Sequence, residues 1–230
     1  DSSKQQAVID RLKRFHINGI QFYDWQDSHT NPLQFVDGVP ITSWQDINHR
    51  TTYLQSVKNY IQLAHEQNMK AMNYNLAYGA YQSDASQMPM SALYTDAQAK
   101  NPAIFPLPGW ESDLYLQDPG NNDWQEYIFA KEQKVQSVLE FELLMNAVDG
   151  FGQREIMRSN ATTFNYTEVW NNSRQYSDLA ILVDQNWKNS KLETGKHLPS
   201  VLAAYMNYNK ASNSGNFNEA GVLLTEASIF

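Results

Sequence analysis

The 230-residue chain has no cysteine, so disulfide frameworks, thiolate nucleophiles and cysteine-ligated zinc are excluded. Long apolar runs are missing too: none approaches the ~20 residues of a membrane-crossing helix. The opening Asp1-Ser2-Ser3-Lys4 is not a signal peptide, which fits either a cytoplasmic protein or one whose leader has been removed. Neither G-x-G-x-x-G nor G-x-x-x-x-G-K-[ST] occurs, and dinucleotide and P-loop sites lose their support. There is no G-x-S-x-G elbow. The five histidines, His16, His29, His49, His65 and His197, lack ligand spacing, so neither a metal nor an organic cofactor is expected. Basic residues are in deficit, 17 against 25 acidic with a net charge of −8. That balance argues against nucleic acid and against an anionic membrane surface as partners.

Aromatic residues are plentiful, with 13 tyrosines, 6 tryptophans and 10 phenylalanines among many Asn and Gln. A pyranose offers an apolar C–H face to a ring and a rim of hydroxyls to amides and carboxylates, so this composition suits sugars. Barrel cores use Tyr and Trp as well. Hydrophobic content of 42% with 18% charged residues is ordinary for a packed domain.

Along the chain, helix and strand patterns alternate. Val8, Leu12 and Phe15 recur at helical spacing, with Ser2 or Ser3 placed to cap and Gly19 just past the end. Gly19 to Trp25 then reads as a strand. Leu54, Val57, Ile61 and Ala64 mark a second helix before the strand Ala71–Leu76. A proline-rich loop leads to Asp113–Pro119, after which Asp123 with Glu126 fits the capping box of a third helix. Further strands read at Leu143–Val148, Tyr166–Trp170 and Val201–Asn207, with a helix through Leu179, Leu182 and Trp187, and a last apolar run at Gly221–Leu224. This alternation implies α/β architecture with a parallel sheet, either open and doubly wound or closed as a barrel. Barrels carry function at strand C-terminal ends, where Asp24, Asn75, Asp118, Asn146, Glu168 and Asn207 are expected.

With metal and serine chemistry unsupported, carboxylates remain, and glycosidases use a pair of them. Glu168, flanked by Tyr166 and Trp170, is the best single acid; the alternative is a buried structural glutamate. Asp24 suits a sugar hydroxyl or a loop cap. Asp118 and Asp149 read as turn formers. Trp25, Tyr74, Tyr78 and Trp170 suit sugar platforms or core.

Ile17-Asn18-Gly19-Ile20-Gln21-Phe22-Tyr23-Asp24-Trp25, Tyr115-Leu116-Gln117-Asp118-Pro119-Gly120, Asn146-Ala147-Val148 and Tyr166-Thr167-Glu168-Val169-Trp170 together resemble glycoside hydrolase family 66, the dextranases and cycloisomaltooligosaccharide glucanotransferases. The resemblance implies one catalytic (β/α)8 TIM-barrel domain over residues 1–230. It also implies retaining endo-cleavage of α-1,6-glucosidic bonds, with dextran or isomaltooligosaccharides as partners and an extracellular setting. Glu168 matches the acid/base position, and Asp24, Trp25, Tyr74, Asn75 and Trp170 would line the cleft.

One departure stands out. The family pattern sets a strand of the form Phe-Asp-Gly-aromatic-His-x-Asp, ending in the nucleophile, between the third helix and the Asn-Ala-Val strand. Here Val138-Leu139-Glu140-Phe141 runs straight into Glu142-Leu143-Leu144. The barrel is thus expected to be incomplete, lacking strand 4 and, before Ser2, strand 1, with open ladder edges. A lone acid would leave a covalent step without its nucleophile. A cyclising transglycosylase and a catalytically inactive carbohydrate-binding barrel are the alternatives.

Overall fold

The expected alternation of helix and strand is present in the computed structural model, which describes residues 2–170, 175–204 and Leu223. Packing divides the chain into an amino-terminal unit, Asp1–Leu143, and a carboxy-terminal unit from Leu144 onward.

In the amino-terminal unit, α1 (Ser2–Arg14) turns a different face inward from the one its spacing suggests. Gln5 and Ile9 are buried while Val8 and Phe15 are exposed. Val8 and Ile9 are adjacent, so either can head an apolar stripe; contact with Ala64 and Met69 selects Ile9. Ser2 and Ser3 lie inside the helix, and His16, at φ 58°, takes the left-handed position after its end. Gly19 instead opens β1 (Gly19–Phe22), where a Cβ would sit 3.2 Å from the Met72 side chain.

Two antiparallel hairpins follow, β2 (Phe35–Val36) with β3 (Val39–Pro40) and β4 (Ser43–Gln45) with β5 (Thr51–Tyr53). Helix α2 (Leu54–Glu66) buries Leu54, Val57, Ile61 and Ala64, the stripe its spacing predicts. It delivers the chain to β6 (Lys70–Leu76), which runs parallel to β1 from Gly19↔Lys70 to Phe22↔Asn73.

After β7 (Gly79–Ala80) and α3 (Gln82–Ala85) come β8 (Ile104–Phe105) and β9 (Leu114–Leu116). These strands form a small antiparallel sheet in the order β7-β9-β8, so the Asp113–Pro119 run is a strand outside the parallel set. Helix α4 (Asn122–Gln136) is capped by Asn121, whose side chain accepts from the N–H groups of Asp123 at 2.9 Å and Trp124 at 3.2 Å. The expected Asp123–Glu126 box is therefore not the cap, because Asn121 already satisfies the free donors of the first turn.

From α4 the chain reaches β10 (Glu142–Asn146) through residues 137–141, with no strand between. Leu139 and Phe141 of this connection are buried with Trp25, Trp44, Val57, Ile61 and Val135. The Phe141 ring meets Phe22 edge-on at 4.9 Å.

In the carboxy-terminal unit, a single 3-10 turn (Val148–Gly150) and α5 (Gln153–Ser159) lead from β10 to β11 (Asn165–Val169). Helix α6 (Tyr176–Thr194) then leads to β12 (Ser200–Ala204). β10, β11 and β12 are parallel, the last pair in register from Asn165↔Ser200 to Val169↔Ala204. α6 opens on a reciprocal Gln175–Asp178 cap and closes on Gly195 at φ 73°. It packs Leu179 and Leu182 against Val169 and Leu202. Asn207 and Gly221–Leu224, read as strand residues, lie outside the described residues except for Leu223.

The architecture is mixed α/β with parallel strands. Among the described residues no strand lies between α4 and β10, where the family pattern sets one.

Candidate functional site

In the amino-terminal unit, β1 ends just before Asp24, which is buried and held in the left-handed region at φ 50°. Its carboxylate accepts from Asn48 Nδ2 at 3.3 Å, and its carbonyl from an Arg50 guanidinium N–H at 3.3 Å. Those contacts are prepared by Asp46, which organises the β4–β5 turn. It accepts from the N–H groups of Asn48 (3.0 Å) and Arg50 (2.9 Å), from Arg50 Nε (2.9 Å) and from Thr52 Oγ1 (3.2 Å).

Trp25 and Tyr74 are core residues here. The Trp25 indole packs against Trp44 and Phe141 and donates to Asn73 Oδ1 at 2.8 Å. Tyr74 is 2% exposed, and Tyr23, whose ring lies tilted at 36° with its centroid 4.2 Å away, is the open one at 43%. Tyr78 is half-buried, its carbonyl accepting from the N–H of Gln117.

Asn75 is fully buried and belongs to a network in which Glu132 and His29 escaped the sequence reading. Asn73 and Asn75, two residues apart, share one face of β6. Asn73 Nδ2 donates to Glu132 Oε2 at 2.6 Å and Asn75 Nδ2 to Glu132 Oε1 at 2.6 Å. Asn75 Oδ1 lies 3.1 Å from His29 Nδ1 and accepts from the N–H of Leu76 at 2.8 Å. Burial pushes the Glu132 carboxyl up to about 7, with the two amide donors pulling the other way. Burial holds the His29 imidazole down at about 4 against the pull of Asn75. A signal for Glu132 existed: it occupies the inward stripe Trp124, Ile128, Glu132, Val135 of α4.

In the carboxy-terminal unit, Glu168 stands near the C-terminal end of β11 and is 3% exposed. Its Oε2 accepts from the Trp170 indole N–H at 2.8 Å. Asn146, the last residue of β10, is also buried and accepts from the Glu168 backbone N–H at 3.2 Å. Thr167 Oγ1 donates to the Ala147 carbonyl and accepts from the N–H of Gly150 at 3.2 Å. These bonds latch the 3-10 turn to β11. In that turn Asp149, at φ 50°, accepts from the Trp170 backbone N–H at 3.2 Å, so the turn fixes the backbone from which the indole reaches Glu168. Trp170 itself is 54% exposed.

Asp118 is a turn former, as its sequence suggests, accepting from the N–H of Gly120 at 2.8 Å. No group of three or more His, Cys, Asp or Glu able to hold a metal ion occurs among the described residues. Among the same residues no helix is long and apolar enough to cross a membrane.

The sequence pattern of Glycosyl hydrolase family 66 matches this chain over residues 1–142 and again over 137–230. The chain belongs to glycosyl hydrolase family 66. The two matches meet where α4 passes into β10. A cycloisomaltooligosaccharide glucanotransferase of Niallia circulans is 25% identical over 271 residues, covering 94% of this chain and 27% of that protein. That alignment is longer than the 230-residue chain, so the relative carries residues within the matched span that this chain lacks. A dextranase of Streptococcus salivarius is 28% identical over 127 residues, covering 52% of this chain and 15% of that protein. The chain thus spans about a quarter or less of the length of these family 66 relatives. A Paenibacillus cycloisomaltooligosaccharide glucanotransferase, crystallised with cycloisomaltoheptaose, shares the fold with a TM-score of 0.72 at 24% identity. That likeness covers 90% of this chain and 37% of the other.

Proposed function

We propose that this family 66 chain handles α-1,6-linked glucans, dextran or isomaltooligosaccharides, with Glu168 as the general acid/base of a retaining site and no cofactor. The observation that carries the reading is the setting of Glu168: a buried carboxyl at a strand's C-terminal end, held by the N–H of a half-exposed indole. A buried carboxyl can deliver a proton to a glycosidic oxygen, and an exposed ring beside it can carry the sugar. Asn146 holds the backbone of the same residue, which makes it a support for the acid. In the amino-terminal unit Asp24, with the open ring of Tyr23 beside it, is the candidate for sugar hydroxyls. A polymer too large to import implies an extracellular setting.

A second reading is favoured by the connection of residues 137–141. Retention needs a nucleophile as well as an acid, and the segment in which the family resemblance sets that aspartate has no counterpart between α4 and β10. On this reading the 230-residue chain binds α-glucan without turning it over. Titration with isomaltooligosaccharides, following tryptophan fluorescence and newly formed reducing ends together, separates the two. Quenching with new reducing ends that vanish in Glu168→Gln supports the hydrolase; quenching with neither new reducing ends nor cyclic products supports the binding barrel. Absence of both effects overturns the α-glucan assignment.

A further inference from the structure

A continuous path of buried side-chain hydrogen bonds joins the loop after β1 to helix α4. It runs from the Trp25 indole to Asn73, from Asn73 to Glu132, from Glu132 to Asn75 and from Asn75 to His29. The amides on this path have one workable orientation. Turning Asn73 over would set its N–H2 against the Trp25 N–H, and turning Asn75 over would set its N–H2 against the N–H of Leu76. The same orientation fixes the His29 tautomer, because a carbonyl oxygen at Nδ1 requires that nitrogen to be the donor. Both amides therefore present donors to the two oxygens of Glu132, which is the point where the two branches join.

We propose that Glu132 is a positioning residue that orients Asn73 and Asn75 on β6 and, through them, the Trp25 indole and the His29 imidazole, making residues 25–29 responsive to pH. The proposal rests on the amino-terminal unit alone and holds whichever saccharide, or none, is bound.

The titratable groups around Glu132 come from each element packed near it. His29 faces it through Asn75 from the loop, while β6 offers only the two neutral amides. On α4 itself, Lys131 reaches Asn31 Oδ1 at 3.1 Å and Tyr127 is hydrogen-bonded to Asp84 of α3. Asp84 also takes the Thr30 hydroxyl. The carboxyl of Glu132 is thus set apart from the charged groups by amides, and its own proton decides the charge at the hub.

The two ends of the path respond to pH in opposite senses. Glu132 is raised from 4.5 to about 7, so its contribution to stability is complete below pH 4.5 and is lost as pH rises through about 7. His29 is lowered from 6.5 to about 4, so its contribution is complete above pH 6.5 and is lost as pH falls through about 4. Between those limits the slopes oppose each other, and this part of the fold should keep nearly constant stability across the mildly acidic range.

The test uses the 230-residue chain and two variants, with ring N–H resonances and urea unfolding read as pH is varied. In the wild type the Trp25 indole N–H resonance should titrate at about pH 7 although the ring carries no ionisable group, and unfolding should shift little between pH 4.5 and 6.5. Glu132→Gln keeps one acceptor but cannot ionise. Its Trp25 resonance should no longer titrate, and its unfolding constant should fall about tenfold for each pH unit gained between 4 and 6.5, the His29 slope now unopposed. His29→Asn should show the reverse slope, less stable as pH rises from 4.5 to 7. A Trp25 resonance that titrates equally in Glu132→Gln, or equal slopes in all three chains, overturns the proposal. If Glu132→Gln fails to fold, the wild type decides: Trp25 and His29 resonances that stay fixed through pH 7 overturn it.

Discussion

The two units each bury a glutamate on hydrogen-bond donors, and the donors differ. Those of Glu132 are amides that are themselves buried and locked by a further partner. One donor to Glu168 is the indole of Trp170, a residue that is half in solvent. Burial is therefore common to the two acids, and the exposure of the named donors is what separates them.

The comparison can be broken at several points. Glu132→Ala should have the largest effect, because it strands two buried amide donors; a loss of about 3–5 kcal/mol is expected in urea unfolding. A loss under about 1 kcal/mol would place Glu132 with the surface acids. Asn121→Ala, which removes the α4 cap from the same helix, should cost about 1 kcal/mol by the same measurement. On the other side, Glu168→Gln should cost less than Glu132→Ala, since the Trp170 indole donor keeps an acceptor. Trp170→Phe should leave the fold intact while weakening isomaltooligosaccharide binding in a fluorescence or calorimetric titration. Equal destabilisation by Glu168→Gln and Glu132→Ala would remove the distinction. Smallest is the surface cluster in which Arg158 and Arg154 hold the Glu193 carboxyl below the usual carboxylate range. Its contribution is present above the ordinary carboxylate pKa and lost as pH falls, so Glu193→Gln should slightly flatten the acid limb of a stability profile.

The units differ in the accounting of buried polar atoms as well. In the amino-terminal unit Gln26 Oε1 is a buried side-chain acceptor without a partner among the described residues. Among the described residues of the carboxy-terminal unit such atoms are both amide atoms of Gln153, Thr162 Oγ1, Asn165 Oδ1, Asn186 Nδ2 and Ser200 Oγ. Each such atom costs about 1–3 kcal/mol unless something satisfies it.

Much of this arrangement was legible in the sequence, for reasons that can be traced. The α2 stripe and the β6 and β11 runs follow period and composition, and Glu168 drew notice as an acid between aromatic residues near a strand end, where the fold buries it. Glu132 did not, because an acid in a helix is ordinarily solvated and only its place on an inward stripe betrays it. The face of α1 was misread for a simpler reason: Val8 and Ile9 are neighbours, and periodicity cannot choose between them before the packing partner is known. Trp25 shows a different limit. Its sequence context does not distinguish a sugar platform from a core ring, and the choice falls to Asn73 and Trp44, which are distant in sequence.

The connection of residues 137–141, where the two family matches meet, has a consequence for how the chain withstands proteases. Loop tips are usually where proteases cut, because cleavage needs a stretch of backbone that can leave the surface. Here Leu139 and Phe141 are anchored among Trp25, Trp44 and Val57, and withdrawing them would open the core of the amino-terminal unit. Limited proteolysis should therefore spare this joint and cut first at exposed loops such as the Asp37-Gly38 hairpin tip. In that sense the place where the family sequence is interrupted behaves as one of the most firmly seated parts of the chain.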